Sequence, residues 1–495
     1  MPSIGEILAR QAHRVPRRTA LIFGDRQYTY QELNRQVNQT AHVLASQTVG
    51  RGDRVALMAP NNDNFILAYY ALLRLGAIVV PINVRLAPPE LRYQLEDSQS
   101  RLIVYDPALT DTVLAGTPTG VGRLSMSDLE ELRRRASPNP PAVHVKETDD
   151  AQILYTSGTT GRPKGVLMDH HRIIWTGLNV VTGVGLREGE RLLHVAPLYH
   201  SAELDLFLMG GTYVAATHIV MGEFHPRRVL ETLAEQRVTA FFGVPTMYQM
   251  MLREDLLDRL DLSAWRIGMF GAAPMPPATV LEWACRLSGL TLYNLAGLTE
   301  MGPGGVYLGG PELLAHPGAA GQPILNTEAR VVTEDGRDTA PGEVGELILR
   351  GETLMKGYWN NASATADAIR DGWLYTGDLA TRDQDGLITL VDRKKDLIIT
   401  GGMNVYSVEV EHAVLSHPAV LDCAVIGLPH PDYGETVTAV VTLVPGETLT
   451  LEELRDHCRP LIADYKIPRR LFLGPIPRNA SGKILKFRLR QQYRS

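Results

Sequence analysis

Short apolar segments alternate with longer amphipathic segments along the first half of the chain. In the amphipathic segments, such as the one from Leu33 to Leu44, apolar residues recur at helical spacing, as in a helix with one buried face. The short segments are almost entirely apolar, which is typical of strands buried on both faces. They predict strands at 54–58, 77–81 and 101–105, with a helix through Leu75 and another from Pro88.

The same alternation continues after a proline-rich and acidic bridge at 138–150. The predicted strands are 191–195, 213–216, 240–243, 267–270 and 290–293, and the predicted helices are 173–181, 226–235, 246–252 and 276–287. Strands that alternate with helices are typical of a parallel sheet covered on both faces. Two such stretches predict an α/β fold with two βαβ-type sublobes, although no sequence repeat links them.

From about residue 320 the pattern changes to strands separated by turn residues, at 328–332, 345–350 and 387–391. Five consecutive charges at 392–396 then interrupt the pattern. Beyond them the sequence predicts strands 397–400, 420–427 and 436–443, a helix 407–415 and a helix 451–461. The sequence thus predicts a β-rich subdomain and, after it, a small α+β C-terminal domain of about 100 residues.

Composition and charge exclude several classes of protein. The 495 residues exceed what one hydrophobic core holds, and a net charge of −6 offers no basic excess for nucleic acid. No apolar run approaches the roughly 20 residues of a membrane span, and the first residues lack a signal-peptide pattern, so we expect a cytoplasmic protein. Three scattered cysteines predict neither a disulfide framework nor a zinc site.

The most informative segment is 155–166, Tyr-Thr-Ser-Gly-Thr-Thr-Gly-Arg-Pro-Lys-Gly-Val. Glycines let a backbone close around an anion, hydroxyls donate hydrogen bonds to it, and a lysine adds a positive charge. The candidate phosphate-binding residues are Thr156, Ser157, Gly158, Thr159, Thr160 and Lys164. The order of residues is neither that of a P-loop nor that of a dinucleotide-binding G-x-G-x-x-G. A serine- and glycine-rich surface loop without function is the alternative for such a composition.

The whole segment resembles the signature loop of the adenylate-forming superfamily, which comprises acyl-CoA synthetases, luciferases and the adenylation domains of peptide synthetases. The resemblance extends over essentially the whole chain. It implies an enzyme that activates a carboxylic acid with ATP and Mg²⁺ to an acyl-adenylate and releases pyrophosphate. It also implies an adenylation domain at 1–392, a hinge at 393–396 with Lys395 as its pivot, and a mobile C-terminal domain at 397–495.

Further motifs follow the loop in the family's order. Residues 294–300, Asn-Leu-Ala-Gly-Leu-Thr-Glu, come directly after a predicted strand, at the end where α/β sheets bind ligands. By the resemblance, Thr299 binds the α-phosphate and Glu300 gives an oxygen to Mg²⁺. Asn294, Ala296 and Gly297 belong to the same nucleotide site. Ala296 departs from the family, because most members have a tyrosine there that stacks on adenine. The loss of that ring either weakens ATP binding by about 1 kcal/mol or opens room in the acid pocket behind it.

The ribose and adenine have their own candidate residues. Residues 373–378, Trp-Leu-Tyr-Thr-Gly-Asp, resemble the motif whose aspartate binds both ribose hydroxyls, which implies this role for Asp378. Arg393 matches the arginine that also reaches the ribose. Residues 271–274, Gly-Ala-Ala-Pro, resemble the adenine-binding segment, with Gly271, Ala272 and Ala273 as its candidates.

Two basic residues match catalytic positions. Lys483, in Asn-Ala-Ser-Gly-Lys at 479–483, resembles the catalytic lysine of the family's last motif. An acid that attacks a phosphate brings two anions together, so catalysis requires positive charge. His200, in Pro-Leu-Tyr-His, matches the histidine that contacts the carboxylate of the acid or gates its pocket.

The acid pocket is predicted to be mainly apolar, which favours a fatty, alicyclic or aryl monocarboxylic acid. Glu203 and Asp205, if they face inward, disfavour a diacid. The candidate pocket residues are Ser201, Leu204, Asp205, Phe207, Phe242, Gly243, Val244, Met247, Ala272, Gly297, Met301 and Gly302.

The resemblance implies a second half-reaction, in which the C-terminal domain turns and transfers the acyl group to CoA. Gly401 and Gly402 would then leave a narrow passage for pantetheine. The other candidate acceptor-binding residues are Arg85, Tyr433, Lys466 and Arg469. We therefore predict an acyl-CoA ligase, a monomer or homodimer. An amide bond synthetase that uses an amine is the alternative, and a luciferase-type monooxygenase or a non-catalytic adenylate sensor is less favoured.

Overall fold

Strands and helices alternate along most of the chain, as the apolar pattern predicts. The structure, a computed structural model, describes residues 2–156, 162–478 and 484–494. The helices are α1 (Ile4–Arg14), α2 (Tyr30–Ser46), α3 (Asp63–Arg74), α4 (Pro88–Asp97), α5 (Thr110–Gly116), α6 (Met126–Arg133), α7 (His170–Val184), α8 (Met209–Tyr213), α9 (Pro226–Glu235), α10 (Pro245–Leu252), α11 (Pro277–Arg286), α12 (Gly310–Ala315), α13 (Ala362–Ala368), α14 (Ser407–Leu415), α15 (Leu451–Cys458) and α16 (Lys486–Gln492).

The strands are β1 (Thr19–Phe23), β2 (Arg26–Thr29), β3 (Arg54–Met58), β4 (Ile78–Pro81), β5 (Leu102–Tyr105), β6 (Gly122–Ser125), β7 (Asp150–Thr156), β8 (Lys164–Asp169), β9 (Arg191–His194), β10 (Thr217–Val220), β11 (Ala240–Gly243), β12 (Ile267–Gly271), β13 (Thr291–Gly297), β14 (Gly305–Gly309), β15 (Gln322–Pro323), β16 (Thr327–Val332), β17 (Gly345–Gly351), β18 (Gly357–Tyr358), β19 (Ile369–Arg370), β20 (Trp373–Arg382), β21 (Ile388–Arg393), β22 (Ile398–Thr400), β23 (Met403–Val405), β24 (Val420–His430), β25 (Gly434–Leu443) and β26 (Arg470–Leu473).

The chain divides into two compact units, and each consists of several segments. The first unit contains Met1–Pro317, Gly321–Ala329 and Leu349–Leu374, and the second contains Gly318–Ala320, Arg330–Ile348 and Tyr375–Ser495. This division differs from the predicted boundary, because residues from 330 to 348 and from 375 to 392 join the C-terminal unit. The functional boundary and hinge at 393–396 stay a prediction.

Two sheets with parallel centres organise the first unit, which confirms the predicted α/β fold. The nine-stranded sheet has the order β15-β14-β13-β12-β11-β9-β10-β1-β2, and the seven-stranded sheet has the order β18-β8-β7-β4-β3-β5-β6. Their central strands are buried along their whole length, as at β4, β5 and β11, which explains their apolar composition. Helix α3 is also buried on every side, because its residues 65–73 are apolar or aromatic all around the helix axis.

One predicted strand, 213–216, is wrong. Helix α8 extends to Tyr213, Ala215 has a left-handed φ of 53°, and the strand begins only at Thr217. The true strand, β10, contains the polar Thr217 and His218 in fully buried positions, so a search for apolar runs selects the preceding Val-Ala-Ala instead. The structure also adds α5, α6 and β6, and a turn of π-helix at Ala202–Leu208, which the sequence pattern does not predict.

The second unit has its own sheet, with the order β23-β22-β25-β24 and with β26 parallel to β25. Helix α14 packs against β24, and their apolar side chains form a separate core that includes Val410, Val414 and Val425. In the same unit, β20 pairs antiparallel with β21 from Asp378 to Arg382. Within the described residues, no helix combines the length and the apolar composition needed to cross a membrane.

Candidate active site

Three neighbouring parallel strands of the nine-stranded sheet, β11, β12 and β13, bring nine of the candidates to one edge. Gly243 lies opposite Phe270, which in turn lies opposite Asn294, so the carboxyl ends of the strands coincide. This is the edge at which open α/β sheets bind ligands. The candidates gathered there are Phe242, Gly243, Val244, Gly271, Ala272, Ala273, Asn294, Ala296 and Gly297.

Backbone segments approach one another closely at this edge, and two glycines permit it. A Cβ on Gly271 would lie 2.4 Å from the carbonyl oxygen of Leu295, and one on Gly297 would lie 2.3 Å from that of Pro303. Both distances are far below van der Waals contact, so only glycine fits. Between these segments, Ala296 is half-buried and pairs with Val306 of β14.

Thr299 lies beside the loop that contains His200 and Ser201. The Thr299 and Ser201 hydroxyl oxygens are 3.1 Å apart. A short 3₁₀ turn, Thr299–Met301, follows β13 and ends at Gly302, and the Met301 carbonyl accepts a hydrogen bond from Thr353 at 2.9 Å. The turn therefore places Thr299, a candidate for the phosphate site, beside Ser201, a candidate for the acid pocket.

The glycine-rich segment connects two antiparallel strands, β7 and β8, in which Thr156 pairs directly with Lys164. Thr156 donates a hydrogen bond to Glu300 Oε1 at 3.3 Å. Lys164 Nζ lies 4.8 Å from the ring centroid of Tyr358, in cation–π contact. Four further phosphate candidates, Ser157, Gly158, Thr159 and Thr160, and the catalytic candidate Lys483 lie outside the described residues.

Tyr358 is a site residue that sequence reasoning missed. Its hydroxyl donates to Glu300 Oε1 at 3.0 Å, and the backbone N–H of Met355 donates to the Glu300 carbonyl at 2.9 Å. Burial, together with the Glu300 carboxylate, raises the pKa of Tyr358 above its ordinary value, so the hydroxyl stays a donor. Its only sequence signal is a Gly-Tyr pair, which carries no pattern of its own.

Glu300 suits a divalent cation. Its carboxylate accepts hydrogen bonds from the neutral Thr156 and Tyr358 hydroxyls, and no ion pair involves it among the described residues. Within those residues, its negative charge is therefore not neutralised by an ion pair with a basic side chain. Mg²⁺ prefers oxygen ligands and is usually bound by one or two carboxylates together with substrate phosphates. The donor set at Glu300 fits this requirement.

His200 is placed as a neutral imidazole. Its Nε2 atom is buried and has no hydrogen-bond partner within the part of the chain that the structure describes. Burial lowers the pKa of His200 to about 4, so the ring is uncharged at neutral pH. An unpaired buried nitrogen is available to a ligand.

Glu203 and Asp205 are both buried and contact other buried side chains. Both oxygens of Asp205 accept hydrogen bonds from Gln152 Nε2 at 2.9 Å, and burial raises the Asp205 pKa to about 7. Burial raises the pKa of Glu203 and lowers that of His194, which favours the uncharged form of each, and Glu203 Oε1 lies 2.5 Å from His194 Nδ1. Each carboxyl group thus contacts another buried side chain of the first unit, and the expectation that these residues disfavour a diacid stays a prediction.

The Glu203–His194 contact belongs to a buried hydrogen-bond network. His194 Nε2 lies 2.9 Å from His218 Nδ1, and His218 Nε2 lies 3.2 Å from the Thr212 hydroxyl. The Tyr70 hydroxyl lies 2.6 Å from the same Thr212 oxygen. All these side chains are fully or almost fully buried next to the π-helical turn, which also contains the buried Leu204 and Phe207.

In the second unit, Asp378 and Arg393 are direct cross-strand partners of β20 and β21. Arg393 Nε lies 3.1 Å from Asp378 Oδ1, so the arginine orients the carboxylate. Lys395 follows two residues later, and burial is the main cause that lowers its pKa. The structure thus joins the two ribose candidates.

The acceptor candidates of the second unit are only partly brought together. Gly401 and Gly402 adopt left-handed φ values of 56° and 79°, and Gly401 N–H donates to the Tyr433 carbonyl at 2.8 Å. The Arg469 guanidinium lies 4.3 Å from the Tyr433 ring centroid. Lys466 instead pairs with Glu409 at 2.6 Å. Arg85, in the first unit, is exposed.

The chain is similar over nearly its whole length to known proteins. The AMP-binding enzyme family matches residues 8–359, and the AMP-binding enzyme C-terminal domain matches residues 409–483. Feruloyl-CoA synthase from Amycolatopsis sp is 38% identical over 491 residues, 99% of each chain. Long-chain-fatty-acid–CoA ligase FadD13 from Mycobacterium tuberculosis is 35% identical over 502 residues, 100% of this chain and 99% of that one. The solved structure of O-succinylbenzoate coenzyme A synthetase from Bacillus subtilis with ATP and magnesium has a TM-score of 0.88 at 31% identity, and the match covers 99% of both chains.

Proposed function

Because the chain belongs to the AMP-binding enzyme family, we propose that the residues at the strand ends bind ATP and an apolar monocarboxylic acid side by side. The chain is an AMP-forming acyl-CoA ligase, which activates a carboxylic acid with ATP and then transfers the acyl group to CoA. The observation that supports the site assignment is the convergence of Thr156, Lys164 and Tyr358 around Glu300, at the carboxyl end of β13.

The proposed first step is attack of the acid carboxylate on the α-phosphorus of ATP, with pyrophosphate as the leaving group. Thr156, Lys164 and Thr299 provide two hydroxyls and one positive charge for the phosphates. When bound at Glu300, Mg²⁺ would neutralise phosphate charge. Lys483 is proposed to bring the second positive charge that the two approaching anions require.

The remaining nucleotide contacts are proposed from the residues that the structure joins. Asp378, oriented by Arg393, would accept hydrogen bonds from both ribose hydroxyls. Gly271, Ala272 and Ala273 would lie along the adenine. Lys395 and the segment 393–396 remain our proposed hinge between the two half-reactions.

The proposed acid site lies between the ends of β11 and β13 and the loop with His200. The buried Nε2 of His200 would donate to the acid carboxylate, since a neutral imidazole retains one N–H. Phe242, Leu204 and Met301 are buried and apolar, which favours fatty, alicyclic or aryl acids. The relatives act on both an aryl acid and fatty acids, by their names, so we propose no single acid.

For the second half-reaction, we propose that CoA meets Gly401, Gly402, Tyr433 and Arg469, which lie together in the second unit. Lys466 is a weaker candidate because Glu409 already pairs with it. Transfer to an amine remains only as an outcome of the test below. ATP and CoA are cytoplasmic metabolites, which supports a proposed cytoplasmic location.

The test incubates the protein with ATP, Mg²⁺ and a panel of straight-chain, alicyclic and aryl monocarboxylic acids. Pyrophosphate and AMP are measured without acceptor, with CoA and with simple amines. We expect an acyl-CoA product from at least one apolar acid. Amide formation without CoA would support the amide bond synthetase, and the absence of AMP with every acid would refute the proposed site.

A further inference from the structure

The two ends of segment 479–483, which contains Lys483, are joined in the structure. Arg478 and Ile484 form an isolated antiparallel bridge, and the Leu485 N–H donates to the Pro477 carbonyl at 2.8 Å. The chain therefore enters and leaves this segment at one place on the second unit. Whatever holds Arg478 and the start of α16 also fixes the positions of the residues that flank 479–483.

Arg478 is held by a forked ion pair. Its Nη2 atom lies 2.8 Å from Asp422 Oδ1 and 3.0 Å from Oδ2, and its Nε atom lies 3.3 Å from Oδ2. Asp422 lies on β24, in the sheet of the second unit. A planar guanidinium that meets both carboxylate oxygens fixes orientation as well as distance. The N-terminal end of the segment is thus attached to the sheet.

Lys486, the first residue of α16, holds the other end through buried contacts. Its Nζ lies 2.7 Å from Glu411 Oε1 and 2.5 Å from the Ser407 hydroxyl. The same Glu411 oxygen accepts the Val425 N–H at 2.8 Å. Lys486 and Glu411 are each only 9% exposed, so water screens this pair weakly. A buried lysine is rare without such a partner.

The same contacts continue to the charged segment at 392–396. The Ser407 hydroxyl donates to Asp392 Oδ2 at 2.7 Å, and Arg490 of α16 lies 2.8 Å from Asp396 Oδ1. Helix α16 has only seven residues, too few to be stable by itself in water. These charged contacts, with the buried Leu489, therefore determine where it lies.

From these contacts we propose that Arg478–Asp422 and Lys486–Glu411 form an anchor that positions Lys483 for adenylation. The inference rests on the proposed role of Lys483. All four side chains act through another residue, so they are positioning residues. Misplacement of a reacting group by about 1 Å can cost about 100-fold in rate. Thioester formation, in which Lys483 has no proposed role, does not need the anchor.

The test separates the two half-reactions in the full-length protein. Pyrophosphate release without CoA reports adenylation of the best acid of the panel, and thioester formation is followed from the synthetic adenylate of that acid plus CoA. The variants are Arg478→Met and the double variant Lys486→Met with Glu411→Gln, which leaves an acceptor for Val425 and no unpaired charge. Lys486→Arg is the conservative variant, and Arg459→Met, which removes an exposed ion pair with Asp456 in the same unit, is the matched control.

We expect Arg478→Met and the double variant to lose about tenfold or more in adenylation rate and less than about twofold in thioester formation. Lys486→Arg and Arg459→Met should keep both rates. Equal losses in the two half-reactions, or unchanged adenylation in Arg478→Met, would overturn the anchor. If the double variant does not fold, the partly exposed Arg478 pair still decides the question.

Lys483→Ala distinguishes failure of this inference from failure of the proposed function. If Lys483→Ala loses adenylation and Arg478→Met does not, only the anchor is wrong. If Lys483→Ala keeps adenylation, the proposed role of the lysine is wrong as well.

Discussion

Replacement of Tyr358 by phenylalanine tests the arrangement around Glu300 with the smallest change. The substitution removes one hydroxyl, which donates to Glu300 Oε1 at 3.0 Å, and leaves the ring 4.8 Å from Lys164 Nζ. Thr156 remains as a longer donor at 3.3 Å. The Glu300 carboxylate then loses its shorter side-chain hydrogen bond and gains rotational freedom.

The expected loss follows from the kind of bond removed. A hydrogen bond to a charged group contributes about 1.5–3 kcal/mol, and Glu300 is half-buried, so water replaces part of it. We therefore expect the substitution to weaken Mg²⁺ binding by about 1–2 kcal/mol. This loss corresponds to a roughly 5- to 30-fold rise in the Mg²⁺ concentration that gives half-maximal pyrophosphate release. The rate at saturating Mg²⁺ should change little, because the oxygen ligand is still present.

The assay is pyrophosphate release as a function of Mg²⁺, with calorimetric titration of ATP in the presence and absence of Mg²⁺ as the binding readout. Tyr28→Phe is the matched control, because Tyr28 donates to the Asp63 carboxylate at 2.7 Å in the same unit. It should lose stability without changing the Mg²⁺ dependence. An unchanged Mg²⁺ dependence in Tyr358→Phe, or the same shift in both variants, would refute the proposed role of Tyr358.

Four further predictions concern other parts of the site. Lys483→Ala should lose about 100-fold or more in adenylation, because it removes charge from the transition state, and should form thioester from a supplied adenylate at the wild-type rate in stopped-flow measurements. Arg393→Met should weaken ATP binding in calorimetry about tenfold, because Asp378 loses the bond that orients it, whereas the exposed-pair variant Arg459→Met should not. Ala296→Tyr should tighten ATP binding by about 1 kcal/mol through ring stacking on adenine, and it should slow turnover of the bulkiest acids. Equal effects on all acids would contradict the interpretation that residue 296 borders both the nucleotide site and the acid pocket. Burial depresses the pKa of His200 from 6.5 to about 4. The stability that depends on the neutral ring is therefore fully present above pH 6.5 and is lost as the pH falls toward 4. The unfolding free energy of His200→Phe, measured with urea, should decline less between pH 7 and pH 5 than that of the wild type.

The sequence predicts the frame of the site well because motif order and strand ends determine it. Asn294 and Gly271 follow apolar strands, and the parallel pairing of β12 and β13 places them together as expected. The β10 strand was misplaced because its buried His218 is satisfied by His194 and Thr212, and no local pattern reveals such partners.

Tyr358 was missed for a related reason. Its contact with Glu300 depends on the pairing of β18 with β8, and these strands lie far apart in sequence, at 357–358 and 164–169. Asp205 was assigned to the pocket by its position, but its partner Gln152 lies on β7, so only the folded chain shows that the carboxylate is already used. Side-chain chemistry that depends on distant partners cannot be inferred from spacing.

The buried hydrogen-bond network of Glu203, His194 and His218 has a consequence for attempts to alter which acid the enzyme accepts. Each member is hydrogen-bonded to its neighbour, so a single replacement would leave an unmatched buried polar atom. Point-mutant libraries at these positions should therefore yield mostly misfolded protein. Joint randomisation of 194, 203 and 218 would let apolar triplets arise together, next to the π-helical turn that contains the pocket candidate Leu204.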